Sequence, residues 1–308
     1  MSRNPSIQIK ELNKAYRAKS GTVHALKNIN LDVPKGSFFG LLGPNGAGKS
    51  TMMNIIASLV KKDSGIILIN NKNFDQYQTE IKYDLGIVPQ ELILDPFFTV
   101  LETLEIFAGY YGIKKQNRKT DEIISALGLE EKAHTAPRLL SGGMRRRLLI
   151  AKALVHDPDI VILDEPTAGV DVKLREQLWD YVVKLNKKGK TIILTTHYLE
   201  EAEKLCDHIA IIDKGSIIAN DKKDNLKKLF GKKKIILELK QTPKQIANTF
   251  TGYDYKIDNN NMVTLECDTD FQYSKLVSQL AKSNTEINNI TTKDVDIEDI
   301  FRNLVYKD

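Results

Sequence analysis

The chain has 308 residues, of which 42% are hydrophobic and 28% are charged. This apolar content excludes wholesale disorder, and no apolar stretch approaches the roughly 18–20 residues that a membrane-spanning helix requires. The net charge of +5 is a weak excess, whereas a dedicated nucleic-acid-binding protein usually has a concentrated basic face, so no nucleic-acid partner is expected. The length favours two domains.

The start of the chain and its two cysteines give an indication of the cellular compartment in which the protein is found. The first residues contain no apolar run of the kind found in a signal peptide. Cys206 and Cys267 form no C-x-x-C pair, so neither a disulfide scaffold nor a structural zinc site is expected, and a reducing cytoplasm fits. The lysine-rich stretch 222–234 is interpreted either as a solvated linker face or as a surface for anionic lipid headgroups. This stretch is also the natural boundary between two domains.

In chain order, the first ~220 residues alternate short β-like runs with helical patterns, which is typical of an α/β fold. Residues 29–33 alternate with period two, as a half-buried strand does. A continuous apolar run at 38–42 and short, β-branched runs at 160–163 and 191–194, bounded by polar residues, predict central strands of a parallel sheet. Helices are predicted over 52–60 and along an apolar stripe of Val100, Leu104, Phe107 and Tyr111.

After Gly231 the pattern changes to that of an α+β module. Strands are predicted at 235–239, 253–257, 262–267 and 287–291, and helices at 243–250, 271–281 and 296–305. The order β-α-β-β-α-β at the start of this series matches the ferredoxin-like split arrangement. We therefore expect a first domain over residues 5–230 and a small C-terminal α+β domain over 234–308.

A glycine-rich motif follows the apolar run 38–42 and precedes a helical pattern, which is the context that a phosphate-binding loop requires. Its glycines let successive backbone N–H groups approach phosphate oxygens, and the next helix directs its positive end at the same anion. Lys49 would reach the β- and γ-phosphates, and the Ser50 hydroxyl would ligate Mg²⁺. The alternative is a glycine-rich turn with an incidental lysine. The motif consists of Gly43, Pro44, Asn45, Gly46, Ala47, Gly48, Lys49, Ser50 and Thr51.

Two carboxylates follow the apolar strand 160–163. Asp164, at the strand tip, can hold Mg²⁺ directly or through water. Glu165 lies one residue further and can reach an attacking water as its general base. An acidic pair after a strand is by itself a common turn, but the phosphate loop makes the functional interpretation the better one.

A third motif consists of Leu140, Ser141, Gly142, Gly143 and Met144. Ser141 is a good N-cap, and the helix that it begins presents a second N-terminus to an anion. With this motif the chain resembles the ATP-binding subunit of an ABC transporter. The resemblance covers about residues 5–225. It implies a P-loop NTPase cassette of α/β fold with an inserted helical subdomain at about 91–156, with ATP and Mg²⁺ as cofactors.

The resemblance implies a role for each matched residue. Gln90 would sense the γ-phosphate, Mg²⁺ and water, or be a polar residue at a strand end. His197 would contact the γ-phosphate, although a lone histidine after a strand is usually structural. Asp171 would couple two sites across a dimer or cap a helix. Tyr16 would stack on adenine or be a core tyrosine. The implied catalytic set is Lys49, Gln90, Glu165 and His197, and the implied metal ligands are Ser50, Gln90 and Asp164.

Met144 departs from the family pattern, because many members have glutamine there and methionine cannot donate a hydrogen bond from its side chain. Methionine followed by three arginines resembles the drug-export branch, which is similar to daunorubicin-resistance ATPases that pair with a separate type-two exporter permease. The tail at 298–305 also resembles that branch.

The resemblance further implies partners for the chain. The Ser141, Gly142 and Gly143 backbone of one cassette would close the nucleotide of another, most simply in a head-to-tail homodimer. An integral membrane permease would dock near Gln90 and residues 92–98, at the cytoplasmic face of the plasma membrane. Two alternatives stay open: a soluble ABC ATPase without a permease, and an ATPase whose C-terminal module senses a ligand.

Overall fold

In a computed structural model of the chain, the structure describes residues 4–18, 21–167, 172–240, 250, 254–258, 262–268, 271–282 and 286–306. The chain divides into two compact units, residues 1–221 and 222–308. Residues 222–230, which the sequence assigns to the first domain, belong to the second unit. Within the described residues, no helix combines the length and the apolar character needed to cross a membrane.

Two sheets form the first unit. The strands of the antiparallel sheet, in spatial order, are β2 (Gly21–Val33), β1 (Ile7–Ala18), β4 (Ser64–Ile69) and β5 (Lys72–Asn73). The order in the second sheet is β10 (Ser216–Lys222), β9 (His208–Asp213), β3 (Phe38–Leu42), β8 (Thr191–Thr196), β7 (Ile160–Asp164) and β6 (Leu85–Val88). Strands β9, β3, β8, β7 and β6 pair in parallel, as a doubly wound α/β sheet requires.

The parallel strands confirm the prediction from continuous apolar runs, because every residue of β3, β7 and β8 is buried. The alternation at residues 29–33 is also confirmed, with Ile29, Leu31 and Val33 buried and the residues between them exposed. The antiparallel sheet was not predicted. Its β1 strand has register shifts between Ile9 and Lys14, which break the alternation that would have identified it.

Helix α1 (Lys49–Ile56) contributes Met52, Ile55 and Ile56 to a hydrophobic core shared with both sheets. The antiparallel sheet adds Ile7 and Ile9 to this core, and the parallel sheet adds residues of β3. Burial of a large apolar side chain stabilises a fold by about 1.5–3 kcal/mol, so this cluster holds the start of α1 firmly. The helix ends four residues earlier than predicted, since the chain enters the left-handed region at Ser58.

The remaining α-helices in the described part of this unit are α2 (Gln78–Asp84), α3 (Val100–Tyr110), α4 (Thr120–Ala126), α5 (Gly142–Leu154), α6 (Val172–Lys187) and α7 (Leu199–Leu205). Three of them, α3, α4 and α5, lie between β6 and β7 in the chain, as an inserted helical segment does. Helix α3 begins with a capping box of Thr99 and Glu102. The Glu105 carboxylate joins α3 to the start of α4 through Arg118 at 2.5 Å and Thr120 at 2.7 Å.

The second unit contains α8 (Lys223–Phe230), β11 (Lys233–Leu239), β12 (Asp254–Ile257), β13 (Met262–Cys267), α9 (Tyr273–Lys282), β14 (Ile287–Lys293) and α10 (Ile297–Val305). Its antiparallel sheet has the order β12-β13-β11-β14, so β13 lies between β11 and β12, as in a split βαβ fold. The predicted helix 243–250 falls outside the described residues except for Phe250, which is buried.

Candidate active site

The glycine-rich loop connects β3 to α1 and requires its glycines. Gly48 has φ +113°, and a Cβ at this position would lie 2.6 Å from the Ala25 carbonyl oxygen. A Cβ on Gly43 would lie 2.4 Å from the Ile212 carbonyl oxygen. The loop therefore lies against backbone on its inner side, and it keeps a conformation in which successive N–H groups can converge on one anion.

Helix α1 begins directly at Lys49, with no acidic residue in its first turn and no side chain capping Gly48 within the described part of the chain. The Lys49 ammonium donates hydrogen bonds to the carbonyl oxygens of Gly43 at 2.6 Å and Pro44 at 3.1 Å. This side chain is only 5% exposed. Burial lowers the pKa of Lys49, while Glu165 and Asp164 act in the opposite direction. The loop, the helix dipole and this cation together are suited to binding an anion.

Asp164 is the last residue of β7 and is 7% exposed. The Thr195 hydroxyl, at the end of the adjacent strand β8, donates a hydrogen bond to its carboxylate. Burial raises the pKa of the Asp164 carboxyl, and the hydrogen bond from Thr195 partly offsets that effect. Sequence reasoning did not select Thr195, because a threonine at the end of a buried strand has no distinctive pattern.

Glu165, Gln90 and His197 converge on one point. Glu165 has φ +46°, and its backbone N–H donates to the carbonyl oxygen of Thr195 at 3.0 Å and to the Thr195 hydroxyl at 3.1 Å. Its Oε2 accepts a hydrogen bond from Gln90 Nε2 at 3.2 Å and lies 3.3 Å from His197 Nδ1. These three residues follow β6, β7 and β8, whose carboxyl ends meet at one edge of the parallel sheet.

A buried glutamate supports the backbone next to His197. Glu201, in α7, accepts hydrogen bonds from the hydroxyls of Thr167 at 2.5 Å and Thr196 at 2.9 Å. Arg175 Nε lies 3.7 Å from the same carboxylate. The cluster ties the segment after β7 to the last residue of β8 and to α7. No residue pattern in the sequence indicates this cluster, since a helical glutamate usually faces solvent.

Replacing Glu201 with alanine is expected to lower the free energy of unfolding by about 2–4 kcal/mol, because two buried hydroxyls and Arg175 lose their common partner. Chemical denaturation of the purified variant measures this change. The matched control is Glu200→Ala, which removes an exposed acid from the same helical turn. Equal stability of the two variants would show that the Glu201 cluster is not a structural tie.

Ser141 caps α5, and its hydroxyl accepts a hydrogen bond from the Met144 N–H at 3.2 Å, which confirms the predicted N-cap. Ser141 and Gly142 are exposed, and no acidic residue lies in the first turn of this 13-residue helix. The end of α5 is therefore accessible to an anion on a second molecule. The predicted coupling residue Asp171 lies outside the described residues.

Tyr16 lies in β1 opposite Val23 and is 40% exposed, so it is not a core tyrosine. The Lys14 ammonium lies 5.2 Å from the centroid of its ring. An exposed ring beside a cation provides a flat surface for a base. This observation favours the first of the two interpretations of Tyr16.

The donor set near the loop fits Mg²⁺. Carboxylate, hydroxyl and amide oxygens are the ligands that this hard cation prefers, and Asp164, Ser50 and Gln90 supply one of each. In the described part of the chain, no group of three or more His, Cys, Asp or Glu side chains could hold a metal. Three such donors would leave the other positions of a six-coordinate Mg²⁺ to phosphate oxygens and water.

A glycine loop with a buried lysine, beside a carboxylate pair at the end of a parallel strand, defines a P-loop nucleoside triphosphate hydrolase. Residues 26–168 match the family model "ABC transporter". The Nod factor export ATP-binding protein I of Cupriavidus metallidurans is 40% identical over 222 residues, which cover 71% of this chain and 72% of that protein. The chain belongs to the ABC transporter family and is an ATP-binding ATPase subunit, as its motifs predict.

Further similar proteins agree with this assignment. The linearmycin resistance ATP-binding protein LnrL of Bacillus subtilis is 41% identical over 222 residues, covering 71% of this chain and 70% of that protein. Among solved structures, the dimeric post-hydrolysis state of the ATP-binding cassette MJ0796 bound to ADP and Pi is 33% identical, with a TM-score of 0.65. The match covers 70% of this chain and 98% of the MJ0796 chain. The predicted ABC cassette fold and ATPase class are confirmed.

Proposed function

We propose that this chain powers export through a separate membrane permease by hydrolysing Mg²⁺-bound ATP between two of its own copies. The observation that carries the proposal is the contact of Glu165 Oε2 with both Gln90 and His197 beside the phosphate loop. Export is supported by the names of similar proteins, which refer to Nod factor export and linearmycin resistance. The subunit would then work at the cytoplasmic face of the membrane.

Nucleotide binding would use the phosphate loop and Tyr16. The N–H groups of the loop and of the first turn of α1 bind phosphate oxygens, and Lys49 exchanges its two carbonyl acceptors for the β- and γ-phosphates. The exposed ring of Tyr16 stacks on adenine. Ser50, Asp164 and Gln90 would hold Mg²⁺, which neutralises charge on the phosphates when bound.

Hydrolysis would occur by in-line attack of water on the γ-phosphorus. The new bond to the water oxygen forms as the bond to the β-γ bridging oxygen breaks, and ADP leaves with that oxygen. Glu165 accepts the proton of the water, and Gln90 orients the Glu165 carboxylate through the 3.2 Å hydrogen bond. His197 would contact the γ-phosphate, and its Nδ1 lies 3.3 Å from Glu165 Oε2. In this arrangement the protein accelerates hydrolysis mainly by positioning the water and the phosphates and by stabilising the charge on the phosphates.

A second copy would complete each site. The exposed N-terminus of α5, with Ser141, Gly142 and Gly143, would close over the nucleotide of the partner in a head-to-tail dimer. Dimeric structures of the similar cassette MJ0796 support this arrangement. The backbone N–H of Met144 donates a hydrogen bond to the Ser141 hydroxyl, so Met144 helps to cap α5 through its backbone and not through its side chain. Asp171, assigned by resemblance to coupling across this interface, keeps that assignment as a prediction.

The permease would dock at an apolar surface after Gln90. Residues 92–98 expose four apolar side chains, and Phe97 is 86% exposed. Such a group on a small segment is typical of a protein contact. Since Gln90 lies two residues before this segment, a permease bound here would act directly on the hydrolysis site. The segment comprises Leu92, Ile93, Phe97 and Phe98 together with the residues between them.

Replacing Phe97 with glutamate is expected to abolish co-purification with a co-expressed permease and to leave basal ATPase activity within about twofold of wild type, because a charge at an interface anchor costs about 2–4 kcal/mol of binding. Affinity capture from solubilised membranes measures the first effect, and phosphate release measures the second. The control is Tyr110→Glu, which places a charge at another exposed aromatic residue, at the end of α3. An unchanged Phe97→Glu complex would contradict docking at this segment.

The whole proposal is tested by reconstituting the chain with that permease in vesicles. Export should require ATP, Mg²⁺ and both chains. If the chain shows its full ATP-dependent activity in the absence of any permease, the alternative of a soluble ABC ATPase would be favoured instead. A ligand that changes the ATPase rate only when residues 235–308 are present would favour the ligand-sensor alternative for the C-terminal module.

A further inference from the structure

Arg146 is a buried cation in α5 that the proposed mechanism does not use. It is 5% exposed. Its Nη1 donates a hydrogen bond to the carbonyl oxygen of Pro89 at 2.8 Å, and its Nη2 donates to that of Gln90 at 2.9 Å. Both acceptors belong to the segment that leads from β6 to the hydrolysis site. The guanidinium therefore holds the backbone of Gln90 itself.

The geometry of this contact suits arginine and no other side chain. A guanidinium presents parallel N–H groups in a rigid plane, so it can bind two consecutive carbonyl oxygens at once, whereas lysine offers a single point charge on a flexible stem. Burial lowers the pKa of Arg146, and the nearby charge of Asp164 opposes that effect. Breaking the hydrogen bonds of a buried charge strongly destabilises a protein, so Arg146 fixes the segment to which it is bonded.

The position of Arg146 along α5 connects two different nucleotides. Ser141 caps this helix and faces outward, and Arg146 lies five residues later, about 7.5 Å along the helix axis. At its N-terminus, α5 would contact the nucleotide of the partner subunit. At Arg146, the same rigid helix holds Gln90, whose amide contacts Glu165 at 3.2 Å. No loop intervenes between the two contacts.

We infer that Arg146 is a positioning residue that transmits movement of α5 to the Gln90–Glu165 pair of its own chain. Engagement of Ser141 with the partner's ATP sets the position of α5, and the Arg146 fork carries that position to the Gln90 backbone. Hydrolysis at one site then depends on ATP at the other site. This inference rests on the proposed dimeric function and adds to it the element that joins the two sites.

The test uses Arg146→Met and Arg146→Lys in the full-length chain. Methionine fills the volume but donates nothing, so kcat is expected to fall by about tenfold to a hundredfold, since a misplaced group near the reacting atoms has effects of this size. The dissociation constant for a fluorescent ATP analogue is expected to stay within about twofold, because Arg146 does not contact the phosphate loop. Lysine is expected to recover part of kcat, and the Hill coefficient for ATP should fall toward one in Arg146→Met.

The matched control is Arg147→Met. Arg147 is the next residue of α5, and its Nη1 donates to the carbonyl oxygens of Leu127 at 2.6 Å and Gly128 at 3.1 Å, away from Gln90. This variant is expected to lower thermal stability while keeping the wild-type Hill coefficient. If Arg146→Met does not fold, Arg146→Lys carries the test through its lowered kcat at unchanged ATP affinity.

Two results would overturn the inference. One is a wild-type kcat and Hill coefficient in folded Arg146→Met or Arg146→Lys. The other is an equal loss of cooperativity in Arg146→Met and Arg147→Met, which would show only a general weakening of α5. Failure of the proposed two-copy function is distinguishable, because the wild-type protein itself would then hydrolyse ATP with a Hill coefficient of one, before any substitution is made.

Discussion

Replacing Glu165 with glutamine is expected to reduce ATP hydrolysis by about a hundredfold or more, since a positioned general base contributes roughly 10²–10⁴ to a rate. Glutamine has the same shape and can keep a hydrogen bond to Gln90, but it cannot accept the proton of the attacking water. ATP binding should persist, because the phosphate loop is unaltered. Steady-state phosphate release measures the rate, and size-exclusion chromatography with ATP measures the expected stable dimer.

Charge alone could slow hydrolysis in Glu165→Gln, because this carboxylate also stabilises the charged form of Lys49. The control is Glu91→Gln, which removes an exposed carboxylate next to Gln90 and should keep nearly the wild-type rate. Turnover by Glu165→Gln at the wild-type rate would show that another group takes the proton. A slow Glu165→Gln variant that forms no ATP-dependent dimer would leave Glu165 as the base but contradict the two-copy arrangement.

The parallel sheet was predictable because its central strands are buried on both faces. Burial on both faces requires an unbroken apolar run, and β3, β7 and β8 each have one. The first sheet could not be found in this way. Its β1 strand places Glu11 in the left-handed region and shifts register there, so its side chains do not alternate regularly. Pairing with β2 and β4 determines the structure of β1, and the local residue pattern does not indicate that pairing.

The site was predictable where chemistry demands a fixed order of residues. Phosphate binding needs glycines, a lysine and a helix start in sequence, so the loop was visible before its geometry was known. The contacts that hold the loops of the site together do not follow a fixed order of residues in the sequence. Arg146, Thr195 and Glu201 each act on backbone or side chains brought near only by the fold. Their residue types are ordinary for a helix or a strand end, and therefore carry no signal in the sequence.

Tyr111 shows how a correct prediction can still miss the contact that matters. Its place in an apolar helix stripe predicted a side chain facing the interior. The ring instead stacks on His156, with centroids 3.7 Å apart and the planes inclined by 9°. The His156 imidazole hydrogen-bonds to the Leu85 carbonyl oxygen at 2.9 Å, and burial lowers its pKa. The His156 imidazole thus joins Tyr111, the residue that follows α3, to strand β6 of the parallel sheet, which a pattern of apolar spacing cannot indicate.

Replacing Lys49 with alanine is expected to weaken ATP binding by about a hundredfold, because a charge-assisted contact to phosphate contributes about 1.5–3 kcal/mol and Lys49 would reach two phosphates. The loop loses one hydrogen-bond donor in this variant but keeps its close packing at Gly43 and Gly48 against the Ile212 and Ala25 carbonyl oxygens, so the variant should fold. The carbonyl oxygens of Gly43 and Pro44, which accept hydrogen bonds from Lys49, would become accessible to water in the variant. Titration with a fluorescent ATP analogue measures the affinity, and phosphate release measures the accompanying loss of activity.

Loss of ATP binding in Lys49→Ala has meaning only if another lysine of similar structural type is dispensable. Lys62 provides that comparison, because its ammonium also donates to a backbone carbonyl, that of Gly65 at 2.8 Å, and pairs with Asp75 at 2.9 Å. Lys62→Ala should bind ATP as wild type does. Equal ATP affinity in wild type and Lys49→Ala would mean that this cation serves only the loop carbonyls. The γ-phosphate would then have to be held by the α1 N-terminus and His197 alone, which would make His197→Ala the variant with the larger loss.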